Sequence, residues 1–165
     1  MDVYRVSFIG HRVLDDYRFV EEQLYSIVAD LIRTKEYVEF YVGRNGDFDI
    51  PAASVIKRAK RDIDESNSSL ILVIAYPLAD MEAYEKYYDE VEYPKELLNV
   101  HYKNTITKRN EWLIEHSDML VAFVVRSSGG AARCLKKAIE HKIKIKLINR
   151  TNMEQQQKLG YLGAP

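Results

Sequence analysis

The chain has 165 residues, 47% of them hydrophobic, enough for one globular domain that buries about two thirds of the surface its unfolded chain exposes. A formal net charge of −1 and a pI near 6.4 lack the basic excess that drives unspecific binding to nucleic acids or anionic membranes, so long nucleic acid is not an expected partner. The single cysteine cannot form an internal disulfide and no apolar run reaches the length of a membrane span, which points to a cytoplasmic protein with no membrane partner.

Val3 to Ile9 reads as a first strand, with Gly10-His11-Arg12 at its carboxyl end. A helix follows from about Tyr17 to Thr34, its buried stripe marked by Val20, Leu24, Ile27, Val28 and Leu31. The alternating Val38, Phe40 and Val42 form a second strand ending at Gly43. The turn from Gly43 to Asp49 leads into a helix with Ala52, Val55, Ile56, Ala59 and Ile63 on one face. Lys57, Arg58, Lys60 and Arg61 of that helix are assigned to a solvated outer face. Leu70 to Ala75 is a continuously apolar third strand. The acidic, tyrosine-rich stretch from Asp80 to Tyr102 predicts a short helix near Met81 to Tyr88 and then loop, since Pro94 interrupts any longer helix. A fourth helix over about Thr105 to Glu115 precedes the apolar run Met119 to Val125. After Ser127-Ser128-Gly129-Gly130, Ala131, Leu135, Ala138 and Ile139 recur at helical spacing, with Cys134 as a small core residue of that fifth helix. Lys144 to Ile148 supplies the last strand.

Strands alternating with helices imply an α/β Rossmann-like three-layer sandwich with a central, mostly parallel five-stranded sheet, because parallel strands need long crossovers. No repeat or change of composition divides the chain. Residues 1–150 are expected to form one domain and 151–165 a polar tail.

In such sheets ligands bind beyond the carboxyl ends of the strands, where the winding reverses. Three glycine-bearing turns fall on that edge. Ser127, Ser128, Gly129 and Gly130 sit where free backbone N–H groups open a helix, a place suited to an anion, and either serine could cap the helix or donate to a phosphate oxygen. At the first turn, Arg12 has the planar fork that grips phosphate or carboxylate, against an ion pair with Asp15 or Asp16. His11 could donate to the same group or stack on a base, against simple turn packing. At the second, Gly43 offers close approach. Asp49, just before Pro51, is by default a helix cap, with recognition of a ribose hydroxyl as the sharper alternative. The spacing of Asn110 from Ile106 and Leu113 sets its amide on the apolar face of the fourth helix, either bonded to backbone or reaching the pocket edge with Arg109. No P-loop, no GxGxxG after the first strand, no HExxH and no paired cysteines are present, and the histidines show no ligand spacing, so neither a metal nor a cofactor is expected.

Together these pieces resemble the SLOG superfamily, and within it the YpsA-like proteins of unknown function. Phe8-Ile9-Gly10-His11-Arg12 is similar to the family's opening F-x-G-H-R. Gly43 with Asp49 and Ala52-Ala53 resembles its glycine turn followed by D-x-x-A-A, and Arg109-Asn110, Ser117-Asp118 and Ser128-Gly129-Gly130 resemble its later signature. The resemblance implies a Rossmann-like fold that binds a nucleotide or nucleotide-derived small molecule, with several relatives acting as sensors and commonly as dimers. Two departures stand out. Asp47 replaces a glycine of the second turn and sets a negative charge near any phosphate there. Lys136 stands where related phosphoribohydrolases carry a catalytic glutamate, and an ammonium cannot stabilise a ribosyl cation or activate water. Binding without catalysis is therefore the primary expectation. The alternatives are an N-glycosidase drawing an acid from the tyrosine-rich stretch, and a single-stranded DNA binder, which needs a basic groove that the composition does not advertise.

Overall fold

A computed structural model of the protein describes residues 1–11 and 16–148. Arg12 and the tail 151–165 lie outside the described residues. In chain order the elements are β1 (Val3–Gly10), α1 (Tyr17–Thr34), β2 (Tyr37–Val42), α2 (Asp49–Ile63), β3 (Ser68–Val73), α3 (Met81–Tyr87), β4 (Glu90–Glu92), α4 (Thr105–Glu115), β5 (Met119–Phe123), α5 (Gly130–Glu140) and β6 (Lys144–Leu147). Two short 3-10 turns, Lys95–Leu97 and Tyr102–Asn104, lie between β4 and α4.

All strand pairs are parallel and the order is β4-β3-β2-β1-β5-β6. The sheet has six strands, not the expected five: β4 lies within the tyrosine-rich stretch that the sequence assigns to loop. Its three residues, Glu-Val-Glu, form an edge strand with both glutamates exposed, so neither length nor apolar content announces it. A buried-lysine staple holds it instead. The Asp89 carboxylate accepts the Leu70 N–H at 2.7 Å and Lys60 Nζ at 2.7 Å, while Lys60 Nζ also donates to the Ser68 carbonyl at 2.6 Å. Lys60, assigned from sequence to a solvated face, is only 9% exposed. Its four-carbon stem crosses apolar surface to reach partners at the sheet edge.

Alternation along the strands sends side chains to two different layers. Val6 and Phe8 of β1 join Phe40, Leu70 and Val121 against α1 and α2, whose Leu24, Val28 and Ile56 complete that core. On the other face Ile9, Leu120 and Ala122 meet Ile114, Cys134 and Ala138 of α4 and α5. Cys134 is the core residue the spacing predicts, and burial pushes its thiol up to about 11, which leaves it protonated and a poor nucleophile at neutral pH. No helix among the described residues is long and apolar enough to cross a membrane.

The chain winds from β1 towards β4 and then crosses back to place β5 on the other side of β1. The order thus reverses between β1 and β5, whose register sets Gly10 opposite Phe123. A crevice at the carboxyl ends of these two strands is the place where this architecture receives ligands.

Candidate functional site

The first turn is built around an imidazole used as an acceptor. His11 Nε2 accepts the Val125 N–H at 2.7 Å and the Arg126 N–H at 3.1 Å, and the His11 N–H donates to the Phe123 carbonyl at 3.3 Å. These bonds require the tautomer with the proton on Nδ1. His11 packs into the turn, the residue 8% exposed and its ring edge-on to Phe123. Burial first, and the Arg126 charge second, pull its pKa below the ordinary 6.5. The folded state therefore holds fewer protons here than the unfolded chain, so stability falls as pH drops through 6.5 towards the lower folded value. His11→Gln keeps an acceptor that does not titrate. Its melting temperature is expected to fall less than that of the parent between about pH 7 and pH 5; parallel curves in a pH series of melts would remove this role.

Gly10 makes room for a side chain of its own protein. A Cβ there would lie 2.2 Å from Cγ of Phe48, whose ring stacks 6.3 Å from that of Phe123. Gly43 at the second turn does the same for Arg109, since its Cβ would sit 2.5 Å from Nη1.

Arg109 and Asn110 exchange the places the sequence assigns them. Thr105, Arg109, Trp112 and Leu113 share the buried face of α4, so Arg109 is 3% exposed while Asn110 is half-buried. The guanidinium donates from Nη1 to the Val73 carbonyl at 3.0 Å and from Nε to Asn110 Oδ1 at 3.0 Å. Helix periodicity favours an uncharged amide for an apolar face, and only the arginine's compensating partners make the other phase affordable. Asp49 is one of them, attracting Arg109 electrostatically. It is the first residue of α2 and does not cap it. Its carboxylate accepts the Asn45 N–H at 2.9 Å and the Gly46 N–H, and so ties down the second turn. Desolvation raises its pKa even though Arg109 and these N–H groups oppose the rise.

Around this floor the tyrosine-rich segment folds back. Asn45 Nδ2 donates to the Tyr76 hydroxyl at 3.0 Å, Arg44 lies 5.3 Å over the Tyr84 ring, and Tyr17 hydrogen-bonds Asp47. Sequence reasoning omits Tyr76, Tyr84 and Arg44 from the site. Tyr76, just beyond the third strand and thus on the same edge, carried the one signal that could have found them.

The third turn differs from the other two because it is open. Residues 125–130 are exposed, Gly129 has φ 98°, and no atom of the described residues lies within 4 Å of a Cβ placed on Gly129 or Gly130. Neither Ser127 nor Ser128 caps α5, which begins without any side-chain cap. The Arg133 N–H closes onto the Gly129 carbonyl at 3.1 Å, so the N–H groups of the preceding first turn face outward, where they attract negative charge. Arg126, Arg133 and Lys136 flank this end, all exposed. The site thus joins an open N–H cradle after β5, the His11 clamp after β1 and the Arg109–Asp49 floor beneath the turn after β2. Among the described residues no group of three His, Cys, Asp or Glu could hold a metal.

No family model and no curated protein matches the chain. Solved structures do. DNA processing protein A (DprA) from Streptococcus pneumoniae aligns with TM-score 0.62 and 14% identity over 87% of this chain and 50% of that one, so the chain spans half the length of that neighbour. DprA from Helicobacter pylori, described for its single-stranded DNA binding mode, aligns with TM-score 0.60 and 14% identity over 94% and 73% of the two chains. The molybdenum cofactor carrier protein of Chlamydomonas reinhardtii gives TM-score 0.55 and 16% identity over 88% and 76%. At these identities the likeness lies in the α/β three-layer fold.

Proposed function

We propose that the carboxyl edge formed by β1, β2 and β5 binds a nucleotide-derived small molecule, with its phosphate at the amino end of α5, and does not turn it over. The observation that carries this reading is the uncapped, unobstructed Gly129-Gly130 entry to α5 at the reversal of strand order, where backbone donors and the helix dipole favour an anion. Exposed Arg126 and Arg133 beside the turn support it, since they add positive charge where the anion would sit. The SLOG and YpsA-like resemblance fits the same edge, and a neighbour that carries a cofactor shows the fold in a binding role. Lys136, exposed on α5, supplies no carboxylate for glycosidic cleavage. The reading requires no metal and no cofactor.

A thermal-shift screen of nucleoside mono- and diphosphates, cyclic nucleotides and ADP-ribose tests it, with product analysis of every hit. A ligand at about a hundred times its dissociation constant adds roughly 2.7 kcal/mol. Gly130→Asp has room for its side chain and places a like charge in the cradle. It is expected to keep its own melting temperature and to lose the ligand shift. A panel without a hit, or an undiminished shift in the variant, overturns the reading. Release of free base from a hit transfers it to the N-glycosidase class.

One observation favours a second reading. Arg126, Arg133, Lys136, Lys142, Lys144 and Lys146 are all exposed and, among the described residues, none forms an ion pair. A net charge near zero conceals this local basic strip, so the composition does not exclude a polyanion. With two DNA processing proteins among the structural neighbours, single-stranded DNA crossing the cradle is the alternative. It predicts oligonucleotide retardation that weakens steeply with salt.

A further inference from the structure

Far from the cradle, a groove of about 580 Å³ opens on the α4 side of the sheet. Its floor is Tyr41, Ile71 and Trp112, all buried. Parallel sheets are ordinarily covered by helices on both faces. Here the connection from β4 back to β5 leaves this part of β2, β3 and β4 open beside the last turn of α4. The rim is acidic. Glu39 is engaged, since Arg5 Nε donates to it at 3.0 Å and the Tyr41 hydroxyl at 2.7 Å. Glu90 and Glu92 on the edge strand are exposed, and although the Glu92 carbonyl accepts the Ile74 N–H at 2.9 Å, their carboxylates enter no ion pair or side-chain hydrogen bond among the described residues. Glu115 joins them at the rim.

The opposite edge of the same sheet carries the reverse charge. Lys144 and Lys146 of β6 and the adjacent Lys142 are exposed and form no ion pair among the described residues. Five strand spacings separate β4 from β6, on the order of 24 Å, about three Debye lengths at physiological salt. Glu90 and Glu92 therefore cannot be neutralised by these lysines within one molecule, although the groove reaches back to Asp118, whose carbonyl accepts the Lys144 N–H at 3.3 Å. With a net charge of −1, no overall repulsion keeps two molecules apart.

We propose that the acidic groove of one copy receives the Lys142–Lys146 corner of a second copy. Lysines on an edge strand also serve to block strand pairing; what they do not account for is an acidic, uncovered face at the far end of the same sheet. The two surfaces differ, so the contact is head-to-tail, and each copy retains one free surface of each kind for the next.

The test is sedimentation of the full chain across a salt series. Association at about 20 mM salt that is lost at about 500 mM is expected. Glu90→Lys/Glu92→Lys and Lys144→Glu/Lys146→Glu are each expected to be monomeric alone, and both sit at exposed positions that leave the fold intact by circular dichroism. Mixed, they are expected to associate again and in a salt-sensitive way, because the native corner of the first fits the native groove of the second and the reversed groove of the first is equally complementary to the reversed corner of the second. A parent chain that is monomeric at every salt concentration overturns the proposal. So do reversed variants that associate like the parent when alone, a mixture of the two that stays monomeric, or a groove that takes a lysine-rich peptide while copies of the chain ignore one another.

Discussion

Arg109→Met is expected to cost about 3 kcal/mol or more of folding stability, read from denaturant unfolding at neutral pH. The methionine fills much of the volume but offers no donor to the Val73 carbonyl, which Nη1 satisfies at 3.0 Å, and no positive charge to Asp49. Asp49 already has a raised pKa from desolvation while Arg109 holds it down, so loss of the arginine leaves a carboxylate without its principal cation. Two measurements separate this electrostatic account from a packing defect. Asp49→Asn in the same chain keeps an acceptor for the Asn45 N–H and removes the charge, so it returns part of the lost stability. The deficit of the single variant also narrows on acidification. An acid whose folded pKa is raised destabilises as pH climbs through its unfolded value, and protonated Asp49 needs no countercharge. A single variant within about 1 kcal/mol of the parent would contradict the floor described above.

Gly10→Ala is expected to destabilise by about 2–3 kcal/mol, at the upper end of overpacking in a close-packed interior. The added methyl would sit 2.2 Å from Cγ of Phe48 and 2.6 Å from its Cβ, atoms close to the backbone that no rotation of the ring moves away. Phe48 is fully buried and begins the chain's entry into α2, so the strain spreads to the turn that Asp49 fastens. In a double-mutant cycle with Phe48→Ala the combined loss is expected to be smaller than the sum of the two single losses, because alanine removes the Cγ and Cδ1 that the new methyl would strike. Gly130→Ala, where a Cβ meets nothing within 4 Å, is the matched control and should be close to neutral. Equal effects at the two glycines would remove the distinction between a glycine that accommodates its own protein and one that keeps an approach clear.

That distinction marks the limit of what the sequence reveals. The succession of helices and strands is legible because each long element repeats its apolar residues at the period of its own geometry, from the stripe of α1 to the run of β5. The position of the Gly129-Gly130 turn is legible because it falls between a buried strand and an amphipathic helix, each with its own period. Gly10 and Gly43 look alike in the sequence, yet each faces a side chain from a distant segment, Phe48 in one case and Arg109 in the other. Local spacing cannot show such pairings. The phase of α4 fails on similar grounds. An arginine on the inner face is affordable only with partners 36 and 60 positions away, Val73 and Asp49. β4 escapes detection because three exposed residues have no period to read, and its anchor, Asp89, works through a lysine on another element.

The strand order also governs how the molecule is assembled. No two neighbouring strands are joined by a hairpin, and the centre of the sheet pairs Val6 with Met119, roughly 110 residues later. Contacts this remote in sequence form slowly, since the intervening chain must first be confined. During synthesis β1 can find β2 early, but its other edge waits unpaired until β5 has left the ribosome. The His11 clamp and the glycine turn beside it are therefore among the last parts to take shape, and a chain halted before Met119 would hold four of the six strands and neither of those turns complete.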